Sequence, residues 1–295
     1  MKKALVLIAA GALFATAVYA LPDYEPFADA TAGGGTTYAV GANLIGQTNA
    51  QGQTWYQAGP ISTTLSKIVA GNLSYGELPA SQGNSVNFGG TGESARLNLN
   101  GGTITSGTIY YSFLLQITAV SSANTGAAGL VWAGFNNALG SQSGTPSVMA
   151  AQIKTKMLTS STFALGTSKA STVASDCVWD PITRSVGDTL FVVGSYTLNS
   201  GSSSDDVSQM WINPAIGSAT PPAATLTAST GGDISSGLIA SFVLENRDVK
   251  ESSGIMDELR FGTWADVTAV PEPSTVVLAG FGALALVSWY RARRC

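Results

Sequence analysis

The chain has 295 residues, of which 11% are charged, 45% are hydrophobic and none is histidine. Apolar residues spread along the whole length exclude a disordered chain, which lacks the surface to bury, and the missing imidazole removes the usual general base, triad partner and metal ligand. A net charge of −4 argues against nucleic acid, whose phosphates need clustered Lys and Arg.

Residues 1–20 read as a secretory signal peptide. Lys2 and Lys3 form a basic tip, and an apolar run begins at Ala4. Val18-Tyr19-Ala20 then sets small or apolar residues before a cleavage between Ala20 and Leu21. Between Leu21 and Ser274 every acidic residue of the chain faces only nine basic ones, so the exported part is more acidic than the whole.

From Leu21 to Val267 the sequence predicts strands separated by Gly, Ser, Asn and Pro clusters. They run Ser94–Asn100, Gly107–Val120, Gly129–Phe135, Ser161–Thr167, Asp188–Leu198, Asp206–Pro214, Gly237–Asn246 and Gly254–Val267. In the first, Leu97 and Leu99 share a face. Ser147–Leu158 suits a short helix or another strand, and the Ala/Thr/Pro-rich stretch Ser218–Ser236 reads as a long loop. Many short strands with turn chemistry between them indicate a sandwich or a barrel. No linker is convincing, so residues 21–267 form one domain, large enough to bury a core without disulfides. Cys177 and Cys295 lie on opposite sides of the terminal apolar segment and are not expected to pair.

Thr275–Tyr290 is apolar or small throughout, slightly short of the ~17–25 residues of a typical membrane-spanning helix. Trp289 and Tyr290 suit an interfacial belt, and Arg291, Arg293 and Arg294 suit the inner flank, so the domain lies outside and the tip inside. Just before the span, Val270-Pro271-Glu272-Pro273-Ser274-Thr275 is held extended by its two prolines and denied backbone donors. These parts in this order, over residues 268–295, resemble a PEP-CTERM sorting signal with a transmembrane helix at about 275–290. The resemblance implies an exosortase-type processing enzyme as partner. This membrane enzyme cleaves near Pro271, Glu272 and Pro273 and passes the protein from the inner membrane toward the cell surface. Those three residues are then a substrate, not catalytic groups.

A second resemblance rests on "YEPFADATAGGG", "GSYTLNSGSSSDDVSQMWINP" and "IASFVLENRDVKESSGIMDELRFGTWADV". These are similar to the LamG-like domains that often precede PEP-CTERM tails, and Asp257–Trp264 resembles their closing strand. The resemblance implies an all-β, concanavalin A-like jelly-roll β-sandwich whose first and last strands meet. Another β-sandwich or a β-helix remains open. Relatives of this fold include glycoside hydrolases, and several bind calcium.

The residues themselves point away from catalysis. A retaining glycosidase needs two carboxylates about 5–5.5 Å apart, and no alternating acidic cluster occurs. Asp257 and Glu258 are adjacent, so on a strand they point to opposite faces, and they read as structural, bonded to backbone or to Arg260. Glu245 and Asp248 flank a turn and read as solvated. Cys177 reads as a small buried residue, because no histidine can activate it. For calcium, which takes several oxygen ligands, the candidates are Asp205 and Asp206, with Asp176 and Asp180 further along the chain. Trp55, Trp132, Trp179, Trp211 and Trp264 are sugar-stacking candidates by type, but core packing is their default. The expectation is an exported surface or matrix protein without catalysis or a required cofactor, binding extracellular polysaccharide. The alternatives are a secreted glycan hydrolase of the same fold and a purely structural surface protein.

Overall fold

The computed structural model describes residues 23–27, 38–62, 65–76, 78–90, 92–246 and 252–268. The expected signal peptide, its Ala20–Leu21 cleavage point, the Pro271-Glu272-Pro273 motif, the apolar span and Arg291, Arg293 and Arg294 lie outside them. Among the described residues no helix is long and apolar enough to cross a membrane.

The strands are β1 (Asp23–Glu25), β2 (Trp55–Gln57), β3 (Ile68–Val69), β4 (Ser85–Phe88), β5 (Ala95–Asn98), β6 (Gly107–Ala119), β7 (Leu130–Asn136) and β8 (Met149–Thr159). They continue as β9 (Thr162–Ser168), β10 (Val178–Trp179), β11 (Arg184–Ser185), β12 (Thr189–Leu198), β13 (Val207–Ile212), β14 (Leu226–Ala228), β15 (Ser241–Leu244) and β16 (Ser253–Gly262). Two antiparallel sheets pack face to face as a jelly-roll sandwich. The first runs β14-β13-β12-β6-β16-β4-β3, with β1 also on β16, and the second runs β10-β9-β8-β7-β15-β5-β2, with β11 also on β9.

Alternation builds the core. Along β6, Ile109, Tyr111, Phe113, Leu115 and Ile117 face inward, as the two-residue period of a strand requires. From the facing sheet come Trp132, Phe135, Ile153, Leu165 and Phe242. Phe88 and Trp132 stack across the interface with centroids 4.5 Å apart. Tyr111 crosses it and donates its hydroxyl to the Ala151 carbonyl at 2.7 Å. The outer face of the first sheet is also apolar at one end, where Phe191, Val193, Trp211 and Trp264 form a second buried cluster. β1 pairs with β16, Tyr24 opposite Arg260, so the first and last strands meet.

One open alternative is settled and three expectations change. Ser147–Leu158 is a strand, because β8 pairs with both β7 and β9. Ser218–Ser236 is not wholly loop, since β14 pairs with β13. The Gly237–Asn246 run is extended only from Ser241 to Leu244. The last strand stops at Gly262 and a short helix, α1 (Trp264–Val267), follows. Thr263 explains that stop, because it forms a reciprocal capping box with Asp266.

Candidate functional site

Asp205 and Asp206 end the loop that joins β12 to β13, and Asp233 enters from the loop after β14. One carboxylate oxygen of each lies within 4.8 Å of the others. A fourth group joins them. Lys169, fully buried just past β9, places Nζ 2.7 Å from Asp233 Oδ1 and donates to the Ser204 carbonyl at 2.9 Å. Asp233 also accepts from the backbone N–H groups of Asp205 and Asp206 at 3.1 and 3.0 Å. Asp206 accepts from Asn199 N at 2.6 Å, and Asp205 from Ser202 N at 2.9 Å. Of the carboxylate oxygens of these three aspartates, Asp205 Oδ1 alone is sealed from water without a partner. Calcium needs six to eight converging oxygens. Here most carboxylate oxygens already hold the loops together, and an ammonium occupies the cationic position. The four residues therefore do not fit a calcium site and read as an ion-paired clasp between three loops. Asp176 and Asp180 do not join it; Asp180 instead pairs with Arg184. Sequence reading missed Asp233 and Lys169 because only the sandwich topology brings those loops together.

A second feature is a cleft of about 430 Å³ where β3, β4 and the ends of β6 and β16 meet the chain just beyond β15. Leu65, Val69 and Ile255 supply apolar surface, and Asn87, Thr118, Asn246 and Ser253 supply polar groups. The two asparagine amides are oriented by backbone donors. Asn87 Oδ1 accepts from Lys67 N at 2.7 Å, and Asn246 Oδ1 accepts from Gly89 N at 2.5 Å. An N–H donor demands the amide oxygen, so neither amide can flip. Among the described residues neither NH₂ group has a protein acceptor, and neither is sealed from solvent. Asn246 is itself 2% exposed, so its position is set by packing. The main chain at the rim is close-set: a Cβ on Gly89 would lie 2.5 Å from Ser253 Cα, which only glycine avoids. Neither asparagine stood out in the sequence, because a lone Asn between strands carries no spacing signal.

Other sequence-flagged residues take structural places. Glu245 is not solvated as expected: it is 1% exposed and helps line a separate groove with Gln152, Ser147 and Thr172. Asp257 and Glu258 do not point to opposite faces. Glu258 has φ 56° at a bulge in β16, which adds one residue and turns both carboxylates toward the segment 73–82. There Asp257 accepts from Leu73 N and Glu258 from Gln82 N. Glu258 also pairs with Arg260 at 3.0 Å. Burial pushes the Asp257 carboxyl up to about 8, with the Glu258 charge adding to it. Trp55, Trp132, Trp211 and Trp264 are buried and closed to a sugar. Trp179 is half-buried and packs on Gly166, where a Cβ would lie 2.4 Å from its ring. Cys177 is half-buried rather than enclosed.

Residues 269–294 match the PEP-CTERM protein-sorting motif. That motif marks an exported protein with a C-terminal membrane anchor and is the signal that exosortases process. No curated protein matches the chain in sequence. Among solved structures, the chain is similar to a mutant of alginate lyase Aly36B in complex with alginate trisaccharide. The identity is 11%, with 70% of this chain and 87% of that one covered and a TM-score of 0.43. It is also similar to the endo-β-1,4-glucuronan lyase of the fungus Trichoderma reesei, at 12% identity, 72% and 96% coverage and a TM-score of 0.37. A protein from Shewanella oneidensis MR-1 matches at 9% identity, 77% and 84% coverage and a TM-score of 0.39.

Proposed function

We propose that this exported protein is a non-catalytic polysaccharide binder of LamG-like type, released toward the cell surface or matrix by exosortase processing at Pro271-Glu272-Pro273. The observation that carries the binding reading is the pair of fixed, unaccepted NH₂ donors of Asn87 and Asn246 in an amphipathic cleft. Sugar rings present acceptor oxygens at their edges and C–H groups on their faces. Amide donors beside Leu65, Val69 and Ile255 complement both. The non-catalytic part of the reading follows from the choice of this cleft, whose described polar lining is Asn, Thr and Ser. An acid–base mechanism needs a group that holds and gives up a proton.

The test is a glycan array probed with the full chain in detergent, followed by titration of the best hit against Asn87→Ala and Asn246→Ala. Each lost hydrogen bond is worth about 0.5–1.5 kcal/mol, so each variant is expected to bind roughly 3- to 10-fold more weakly. Unchanged affinity in both variants would move the site elsewhere. No binding to any glycan would favour a purely structural surface role, and release of reducing sugar would favour a hydrolase.

A further inference from the structure

We propose that Lys154 and Cys177 form an oxidation-triggered covalent link, a sulfenamide between Nζ and Sγ. Lys154 points outward from β8 and is 1% exposed. Its Nζ lies 3.2 Å from Cys177 Sγ and 3.3 Å from the Ala128 carbonyl. Among the described residues it has no carboxylate partner, unlike Lys169, Arg184 and Arg260. A buried ammonium without a counter-charge is costly, and its remaining neighbour is a nucleophilic sulfur. That sulfur is held by the Val173 and Ala128 carbonyls at 3.3 and 3.5 Å, and its half-buried position leaves a small oxidant a route in.

The chemistry balances with hydrogen peroxide as oxidant. The thiol attacks peroxide and becomes a sulfenic acid, and water leaves. The ammonium then loses a proton, its nitrogen attacks the sulfenic sulfur, and a second water leaves with the S–O bond broken and an S–N bond formed. The net change is the loss of two hydrogens from the protein, with sulfur oxidised and one peroxide reduced to two waters. The link spans 23 positions and ties the 170–177 segment to β8. A sulfenic acid beside a backbone nitrogen is known to condense in this way; here a side-chain amine stands at the same reach.

The experiment uses the full chain carrying Cys295→Ser, because a disulfide between the two cysteines would give the same mass change. After stoichiometric peroxide, intact mass is expected to fall by about 2 Da, and peptide mapping without reductant to join the Lys154 and Cys177 peptides. Thiol reductant should restore the starting mass. Lys154→Arg, which keeps the charge, should instead gain about 16 or 32 Da at Cys177. Direct over-oxidation of the parent protein with Lys154 still cleaved by trypsin would overturn the proposal. So would a 2 Da loss that persists in Lys154→Arg. If Lys154→Arg does not fold, the mapped peptides of the parent protein decide alone.

Discussion

Trp55 donates its indole N–H to Glu25 at 2.9 Å inside the core, and Tyr38 donates its hydroxyl to the same oxygen at 2.8 Å. The backbone N–H of Phe27 takes the other oxygen at 2.9 Å. β1 is thereby fastened through its last residue. Despite these three donors, complete burial pushes the Glu25 carboxyl up to about 7. Asp257 is raised to about 8, mainly by burial, and burial raises Asp23 as well.

These shifts set a pH dependence. A carboxyl raised on folding binds its proton more tightly in the native state, so its stabilising effect is complete below the unfolded value near 4. That effect is lost as pH rises through 7 to 8. Denaturant midpoints are therefore expected to fall between pH 5 and pH 8, with Glu25 alone accounting for about 3 kcal/mol. Glu25→Gln, which mimics the protonated form, should flatten the slope. A midpoint that climbs to pH 8 would contradict this account.

Gly194 sits opposite Tyr111 in the β12–β6 ladder. A Cβ there would lie 2.1 Å from the Tyr111 ring. That ring is fully buried and anchored to the second sheet through Ala151, so it cannot swing aside. Gly194→Ala is expected to cost about 1–3 kcal/mol by overpacking. Tyr111→Phe should cost about 1 kcal/mol or more, because it strips the Ala151 carbonyl of its cross-sheet donor. Thermal unfolding of the two single variants and the double variant checks both, and the double variant should be non-additive because the residues touch.

Lys169 neutralises part of the Asp205–Asp206–Asp233 clasp. Lys169→Met would leave three carboxylates facing one another without the buried cation, at a cost of about 3–5 kcal/mol. Calcium should then matter where it did not before. Millimolar calcium is expected to raise the unfolding temperature of Lys169→Met and to leave that of the parent protein unchanged. A calcium shift in the parent protein would show that the clasp accepts a metal beside the lysine.

For sorting, replacing Pro271, Glu272 and Pro273 with alanine is expected to leave an unprocessed, membrane-held form in a host with an exosortase. Immunoblots of membrane and medium fractions check this. Normal release of the mutant would break the link between the motif and processing.

Local chemistry wrote much of the fold into the chain. The alternation in Gly107–Val120 and Asp188–Leu198 gave the two long strands of the first sheet, because period-two patterning survives only where one face is buried. The address at the C-terminus was also legible, since its parts are contiguous and their order alone carries the meaning. Ser147–Leu158 stayed ambiguous because a short apolar run suits either period, and only pairing with two neighbours made it a strand. The same limit hid the clasp and the cleft. Lys169 meets Asp233, and Asn87 and Asn246 line one cleft, across long chain separations that no spacing rule spans. What the sequence determined by itself was what contiguous residues can do: export, strand alternation and a sorting signal. The tertiary structure decided what distant residues do together, because folding two sheets against each other chooses which loops share a corner and which polar groups lose their water.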